Sequence, residues 1–389
     1  MRVKAGVDVL LRDPGEHLDG SKVGLITNPT GVTSDLAPTI DAFKGHPGID
    51  LRAIFGPEHG ARGDAQDALP VESQVDEATG LPVHSLYGEA MKPTPEMLEE
   101  VDILVFDIQD VGARFYTYAS TLTHALEAAS ERRMRFLVLD RPNPVNGVDV
   151  EGSILEPGFA SFVGLNPVPI RHGLTIGELA LMANESIGAE LRVVRMEGWE
   201  RGMWFDETGL PWVQPSPNIP TLDTATVYPG TCFFEGVNVS EGRGTTRPFE
   251  YIGAPWIDGA RWATALNRLG FGGVHFRACH FTPIFNEYQG ELCGGVQVHI
   301  TDREAFRPVE AGLHMLSAAL ELWPDEFKWL PPGCDGRRHF DLLAGTDRIR
   351  LDLGRGVAVE DIVDGWTDAL DAYEERSEEF LLYPTEGVE

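Results

Sequence analysis

The chain has 389 residues, 42% of them apolar, and its 61 acidic and 31 basic residues give a formal net charge of −30. This length exceeds the roughly 250–300 residues at which a single core usually stops growing, so two domains are expected. The apolar content excludes general disorder, the negative charge disfavours nucleic acid as a partner, and no apolar run approaches the roughly 20 residues of a membrane span. The composition therefore predicts a soluble globular protein without membrane insertion.

Apolar segments alternate with helical patterns over the first half of the chain. Strands are predicted at residues 23–27, 51–55, 101–106, 134–139 and 191–195, and helices at 37–43, 116–133 and 175–187. Thr175 is predicted as an N-cap because Glu178, three residues later, completes a capping box. The pattern indicates an α/β domain with a doubly wound, mostly parallel sheet.

The second half has a different texture. Residues 208–255 are rich in proline, glycine, asparagine and threonine, as in long functional loops. Strands are then predicted at 273–281 and 294–301, and helices at 309–323 and 359–373. We therefore predict a catalytic domain at 1–255 and a smaller α+β domain at 256–389 that closes a cleft.

The cysteines and the N-terminus carry little functional signal. Cys232, Cys279, Cys293 and Cys334 are too few for a disulfide scaffold and have no C-x-x-C spacing, and the histidines lack metal-ligand spacing. We predict no metal and no cofactor. The first residues contain no apolar segment long enough for a signal peptide, which predicts a cytoplasmic protein as written, or an exported one if a leader was removed.

Polar residues follow three of the predicted strands. Ligands of open parallel α/β sheets bind beyond the carboxyl ends of the strands, so these positions are expected to converge on a pocket. The residues are Glu58 and His59 after the second strand, Asp107, Gln109 and Asp110 after the third, and Asp140, Arg141 and Asn143 after the fourth.

Glu58 is the leading catalytic candidate. Pro57 before it fixes the local backbone, and Gly56 and Gly60 permit a tight turn and the close approach of a ligand. A carboxylic acid in such a cleft can protonate a leaving oxygen, as the acid of a glycosidase must. The alternative is a helix N-cap or a surface turn. His59 is either a second acid/base and substrate-binding group or a hydrogen-bonded structural residue.

A glycosidase also needs a second carboxylate or another way to stabilise its transition state. Asp107, Asp110 and Glu241 are the candidates. An aspartate at a strand end commonly caps a helix, and Glu241 could instead pair with Arg243 or Arg247. An ion pair within a rigid turn is expected for Asp140 and Arg141.

The remaining candidates are substrate-binding residues. Tyrosines suit stacking on sugar rings, amides suit hydroxyl groups, and arginines bind planar carboxylates through two hydrogen bonds. Asn218 could equally stabilise its own turn. The glycine-rich run 240–250 lacks the lysine of a phosphate loop, and neither G-x-S-x-G nor H-E-x-x-H occurs, which disfavours nucleotide-dependent, serine-hydrolase and metallohydrolase functions. The candidates are Gln109, Arg114, Tyr116, Tyr118, Asn143, Arg171, His172, Asn218, Arg243 and Arg247.

The motifs at 24–31, 55–60, 107–118, 140–144 and 241–245 together resemble the NamZ-type exo-β-N-acetylmuramidase family, and the resemblance runs from residue 6 to about residue 366. It implies a Rossmann-like N-terminal domain, a smaller C-terminal domain and a cleft between them. It further implies release of N-acetylmuramic acid from the non-reducing end of peptidoglycan fragments in bacterial cell-wall turnover, with Glu58 as the catalytic glutamate. Members often carry an export signal, which is not seen in this sequence, so intracellular turnover of imported muropeptides fits this chain as well as extracellular digestion of the cell wall.

The residues agree with the resemblance at one point. The lactyl group of muramic acid carries a carboxylate, and Arg114, Arg171, Arg243 and Arg247 are candidates to bind it. Retention, inversion and assistance by the substrate's acetamido group all remain open, as does the oligomeric state. The alternative function is a non-catalytic protein that binds amino sugars or muropeptides on the same scaffold.

Overall fold

The computed structural model describes residues 2–58, 60–63, 74–88 and 90–385. The strands are β1 (Lys22–Thr27), β2 (Asp50–Gly56), β3 (Gln74–Val75), β4 (Pro82–Ser85), β5 (Ile103–Asp107), β6 (Arg135–Leu139), β7 (Glu190–Val194), β8 (Tyr251–Ala254), β9 (Val274–Phe281) and β10 (Cys293–Ile300). The helices are α1 (Gly6–Leu10), α2 (Pro14–Leu18), α3 (Thr39–Gly45), α4 (Tyr118–Arg132), α5 (Ile176–Ile187), α6 (Leu222–Thr231), α7 (Gly259–Arg268), α8 (Pro308–Leu322), α9 (His339–Ala344), α10 (Arg348–Arg355), α11 (Val359–Asp364) and α12 (Thr367–Ser377).

The larger sheet has the strand order β3-β4-β2-β1-β5-β6-β7. All neighbours are parallel except β3, which runs antiparallel to β4. Numbered along the chain, the six parallel strands follow the order 3-2-1-4-5-6 that is typical of Rossmann folds. The predicted doubly wound α/β sheet is therefore confirmed.

Helices cover both faces of this sheet, which explains why its central strands read as continuous apolar runs. Helices α4 and α5 pack together against β6 and β7, while α1 and α3 pack on the opposite face. Every residue of β5 is buried. The predicted capping box is also present, since Thr175 and Glu178 exchange hydrogen bonds at the start of α5.

A second, antiparallel sheet has the order β8-β10-β9. Helix α7 packs on β9 and β10, and α8 packs against α6 and α7. The smaller α+β part of the fold is therefore confirmed. The division at residue 255 stays a prediction, although β8 precedes it and pairs with β10 beyond it.

Two details of the prediction were wrong. The segment 208–255 is not a long loop, because it contains α6, a 3-10 turn at Cys232–Gly236 and β8. The single helix predicted at 359–373 is two helices, α11 and α12, interrupted at Gly365, a residue that is unfavourable inside helices. The loop was predicted because residues 208–255 are rich in proline and glycine. The single helix was predicted because the apolar spacing continues through residues 359–373.

The chain returns to the larger sheet after α12. The Tyr383 hydroxyl donates to Asp140 Oδ2 at 2.6 Å, and the Leu382 amide donates to Glu178 Oε1 at 2.8 Å. Asp140 follows β6, and Glu178 lies in the first turn of α5. These contacts bind the end of the described chain to the part of the fold that contains the larger sheet.

Glu151 is a buried carboxyl group that is expected to make stability depend on pH. Its Oε1 accepts a hydrogen bond from the Glu310 amide at 2.9 Å, whereas Oε2 has no partner among the described residues. Burial raises its pKa to about 7, and the Glu310 amide and Arg171 offset this only in part. Between the ordinary pKa of 4.5 and 7, the folded protein keeps a proton that the unfolded chain has lost, so stability falls as pH rises.

We expect Glu151→Gln to remove this dependence. The variant should gain on the order of 3 kcal/mol in unfolding free energy relative to wild type between pH 4 and pH 8, since one pKa unit is worth about 1.4 kcal/mol. Urea denaturation at several pH values measures the difference. The exposed control Glu99→Gln should follow wild type. If the unfolding free energies of wild type and Glu151→Gln changed with pH in the same way, the prediction would be contradicted.

Candidate active site

The turn after β2 presents Glu58 as the sequence predicts. The Gly60 amide donates to the Pro57 carbonyl at 3.0 Å, and Gly60 has a φ of 79°, which favours glycine. A Cβ on Gly56 would lie 2.7 Å from the Ala61 amide nitrogen. Both glycines are therefore required for the turn that places Glu58 beyond the strand.

The Glu58 side chain is partly exposed and is held by the N-terminus of α4. Thr117, the residue before this helix, donates its hydroxyl to Glu58 Oε2 at 3.0 Å. The carboxylate is thus oriented by a neighbouring crossover helix, while one side remains open to a ligand. His59, predicted as a substrate-binding residue, lies outside the described residues.

Glu58 lines two adjacent cavities, which we call cavity A and cavity B. Cavity A has a volume of about 190 Å³ and is the more enclosed, and cavity B has a volume of about 430 Å³. Glu58, Glu235 and Arg243 line both. Cavity A is also lined by Tyr87, Tyr116, Thr117, Tyr118, Phe162, Ser216, Asn218, Tyr228 and Phe249, and cavity B by Phe234, Glu241, Phe285, Asn286, Glu287 and His339.

Aromatic rings form a rigid wall of cavity A. Tyr116 packs edge-on against Tyr118 and Tyr228, with ring centres 4.9 and 5.8 Å apart, and Tyr228 packs against Phe249 at 4.7 Å. The Tyr118 hydroxyl donates to the Pro215 carbonyl at 2.8 Å. Aromatic faces with polar edges are suited to binding a sugar ring.

An ion-pair cluster lies at the boundary of the cavities. Arg243 donates to Glu235 Oε1 at 2.7 Å and to Glu241 Oε1 at 2.8 Å, and Glu235 Oε2 lies 3.2 Å from His339 Nε2. Burial alone would raise the pKa of Glu235, but Arg243 and His339 outweigh burial and lower it to about 2. Burial raises the pKa of Glu241 against the opposing effect of Arg243. Glu241 thus forms the salt bridge with Arg243 that the sequence left open.

Asp107 lies away from both cavities. Its carboxylate accepts hydrogen bonds from Arg141 Nε at 2.7 Å and from the Thr39 hydroxyl at 2.6 Å. The expected ion pair between Asp140 and Arg141 is wrong, because Arg141 pairs with Asp107 and Asp140 binds the Thr175 hydroxyl. These groups hold the edge of the sheet together.

The other polar residues of this edge also bind the protein itself. Asp110 Oδ2 accepts from a backbone amide at 2.6 Å and lies 3.3 Å from His172 Nε2. The side-chain amides of Gln109 and Asn143 donate to backbone carbonyls at 2.6 to 3.0 Å. Buried polar groups are normally satisfied in this way, although Asp110 Oδ1 and His172 Nε2 have no hydrogen-bond partner among the described residues. None of the four lines cavity A or B.

The strand ends therefore do not converge on one pocket. The crevice outside β1 and β5, where Rossmann folds usually bind ligands, holds a cavity of about 20 Å³ beside Gln109 and Arg141. Such a volume accommodates little more than a water molecule. The candidate site instead lies beyond β2 and beside α4, and the small crevice disfavours a nucleotide-dependent function.

Three of the four arginines proposed to bind a carboxylate lie away from the cavities. Arg114 donates to three backbone carbonyls at 2.6 to 2.9 Å, and burial lowers its pKa to about 9. Arg171 forms an ion pair with Asp149 at 3.0 Å, and Arg247 forms one with Glu250 at 3.0 Å. Arg243 is the member of the set that lines both cavities.

The fold brings together Glu58, Tyr116, Tyr118, Asn218, Glu241 and Arg243 from the predicted set. Sequence reasoning missed Thr117, Glu235 and His339. Thr117 stands between two predicted tyrosines and could have been found there. Glu235 follows two phenylalanines, and its contact, His339, lies 104 positions further along the chain. No local sequence pattern therefore marks either residue.

Within the described part of the chain, no three His, Cys, Asp or Glu side chains are grouped as a metal site. No described helix is long and apolar enough to cross a membrane. What the site offers for chemistry is carboxyl, hydroxyl, amide and imidazole groups beside aromatic rings.

The chain is similar to known proteins. Residues 23–223 match the family model of the N-terminal part of exo-β-N-acetylmuramidase NamZ, and residues 226–383 match the C-terminal part. The peptidoglycan β-N-acetylmuramidase NamZ of Bacillus subtilis (strain 168) is 51% identical over 384 residues, which cover 98% of this chain and 92% of the Bacillus protein.

Two solved structures of DUF1343 family proteins from Bacteroides fragilis NCTC 9343 have the same fold. One superposes with a TM-score of 0.91 at 40% identity and covers 98% of this chain and 99% of the other. The second has a TM-score of 0.80 at 30% identity and covers 99% of this chain and 100% of the other. The chain is therefore similar to these proteins over almost its entire length.

Proposed function

The chain belongs to the NamZ exo-β-N-acetylmuramidase family of glycoside hydrolases, and from this premise we propose that it releases N-acetylmuramic acid from the non-reducing end of peptidoglycan fragments. Glu58 is the general acid in this proposal. The observation that carries it is the position of Glu58 on the shared boundary of two cavities of unequal openness. A general acid must lie within hydrogen-bond reach of the oxygen that leaves.

The two cavities suit the two sides of a terminal glycosidic bond. We assign the enclosed, aromatic cavity A to the terminal sugar and the larger cavity B to the remainder of the fragment. The scissile bond then crosses the boundary beside Glu58. An enclosed end for one sugar and an open end for the rest fit an enzyme that removes one terminal residue at a time.

Recognition of the lactyl carboxylate requires a revision of the sequence-based proposal. Arg243 already lies between two carboxylates, Glu235 and Glu241, which more than balance its charge. We therefore propose Ser216 and Asn218, polar residues that line cavity A, as contacts of the lactyl group. Hydroxyl and amide donors bind a carboxylate without adding another buried charge.

Hydrolysis of a chromogenic β-N-acetylmuramide and of the matching β-N-acetylglucosaminide tests the proposal. We expect faster turnover of the muramide, and release of N-acetylmuramic acid from the non-reducing end of a defined fragment. Asn218→Ala should reduce the preference for the muramide. Folded wild-type protein that binds muropeptides but hydrolyses neither substrate would overturn the proposal in favour of a binding protein.

A further inference from the structure

We propose that Glu235 is a second catalytic residue, whose carboxylate supplies the negative charge that faces the anomeric carbon as the glycosidic bond breaks. The inference rests on the glycoside hydrolysis proposed above, and it identifies a residue that sequence reasoning did not. Its starting point is that, among the described residues, Glu235 and Glu58 are the carboxyl residues that line both cavities.

The fold places Glu235 at the boundary through a short, rigid segment. The 3-10 turn Cys232–Gly236 follows α6 directly, and its phenylalanines are fully buried. The Glu235 side chain keeps 20% of its surface exposed. The segment is therefore anchored in the core while its single carboxylate remains accessible to a ligand.

Two distant parts of the chain hold this carboxylate. Arg243, from the loop before β8, contacts Oε1 at 2.7 Å, and His339, the first residue of α9, lies 3.2 Å from Oε2. Arg243 is shared with Glu241, so with both carboxylates ionised and His339 neutral the four side chains carry one net negative charge. The cluster fixes the direction of Glu235 without cancelling the charge beside the cavities.

The other carboxylates near the sheet are less suitable. Glu241 lines cavity B but not cavity A, and its side chain is 2% exposed. Asp107 and Asp110 line neither cavity. The opposite effects on pKa agree with this choice, since Arg243 and His339 keep Glu235 ionised whereas burial raises the pKa of Glu241.

The chemistry of glycoside hydrolysis gives such a carboxylate a defined role. As Glu58 gives its proton to the leaving oxygen, the bond to the anomeric carbon breaks and positive charge develops on that carbon and the ring oxygen. Water then adds to the carbon, and the proton that it loses replaces the one that Glu58 donated. Glu235 forms no bond and gains no proton in this scheme. Its fixed charge stabilises the transition state more than the bound substrate, whose anomeric carbon and ring oxygen are still uncharged.

The first experiment compares Glu235→Gln with the matched variant Glu241→Gln. Both changes neutralise a carboxylate that binds Arg243, so a general disturbance of the arginine affects both. We expect Glu235→Gln to lower kcat for muramide hydrolysis by roughly 100-fold with KM within about threefold of wild type. Glu241→Gln should lose clearly less. Equal losses, or kcat of Glu235→Gln within threefold of wild type, would overturn the inference.

The second experiment measures the charge itself. The probes are an iminosugar analogue of N-acetylmuramic acid, with a protonated ring nitrogen, and its uncharged lactam. Wild type and the charge-conserving Glu235→Asp should bind the iminosugar more tightly than the lactam. In Glu235→Gln the ratio of the two affinities should fall at least tenfold. Equal weakening of both probes by Glu235→Gln would mean a structural role and overturn the inference.

The two proposals can fail separately. If wild type hydrolyses another β-linked amino sugar but no muramide, and Glu235→Gln abolishes that activity, the proposed substrate is wrong and the role of Glu235 stands. If wild type hydrolyses the muramide and Glu235→Gln does so equally well, the proposed function stands and the role of Glu235 is wrong.

Discussion

Replacement of Glu58 by glutamine is expected to lower the rate of muramide hydrolysis by roughly 10³-fold for a sugar leaving group, within the 10²–10⁴-fold range of general acid catalysis. Glutamine keeps the shape of the side chain and can still accept the hydrogen bond from Thr117. It cannot give a proton to the leaving oxygen. Ligand affinity, measured by calorimetry with N-acetylmuramic acid, should therefore stay near the wild-type value.

The dependence on the leaving group makes this prediction specific. A nitrophenolate is a much better leaving group than a sugar alkoxide and needs less help from an acid. The loss caused by Glu58→Gln should therefore be smaller for a nitrophenyl muramide than for a muramic acid disaccharide. Thr117→Val, which removes the hydrogen bond to Glu58 but not the acid, should give a smaller loss on both substrates. An equal loss on both substrates with Glu58→Gln would assign Glu58 another role.

The largest expected effect on stability comes from Gly230→Ala. Gly230 lies in α6 where this helix crosses α8, and an added Cβ would lie 1.8 Å from the Pro308 carbonyl oxygen and 3.2 Å from the Gly312 amide nitrogen. The clash is with backbone, so the two helices have to separate. Overpacking of a core typically costs 1–3 kcal/mol, and we expect a loss of about 3 kcal/mol or more in unfolding free energy.

Gly354→Ala is the matched control. Gly354 lies inside helix α10, and a Cβ there would meet no heavy atom within 4 Å. Alanine favours a helix over glycine by up to about 1 kcal/mol, so this variant should be as stable as wild type or more stable. Urea denaturation of the three proteins measures the difference. Similar midpoints for Gly230→Ala and Gly354→Ala would contradict the close crossing of α6 and α8.

The regular part of the fold was predictable from local patterns. Apolar runs marked β1, β2, β5 and β6, because the inner strands of a sheet that is covered on both faces consist largely of consecutive apolar residues. Thr175 and Glu178 marked the start of α5 through a mechanism that needs no tertiary contact. Helix α6 was missed because proline and glycine near its end outweighed the helical signal.

The candidate site was predictable where a single turn creates it. Gly56 and Gly60 have a backbone reason to surround Glu58, and that reason is local. Asp107 has the same appearance in the sequence, but its partner, Arg141, arrives from the neighbouring strand. Residue type alone cannot distinguish a carboxylate that is accessible to a ligand from one that forms an ion pair with an arginine of the same chain.

Glu235 shows the other limit of the sequence. Its significance depends on Arg243 and His339, which reach it only after α9 packs against the 3-10 turn. No spacing rule connects positions 104 residues apart. A site assembled from a turn, a loop and a helix start can be found only once the domains are folded together.

The return of the chain to the larger sheet through Tyr383 and Asp140 has a mechanical consequence. The polypeptide passes from the α/β sheet to the smaller sheet before β8 and comes back after α12, so the two parts are joined by two tethers instead of one. Direct hydrogen bonds from Trp204 to Glu304 and from Ser153 to the Ala344 carbonyl add to these two connections, so the larger sheet and the smaller sheet are held in one relative position.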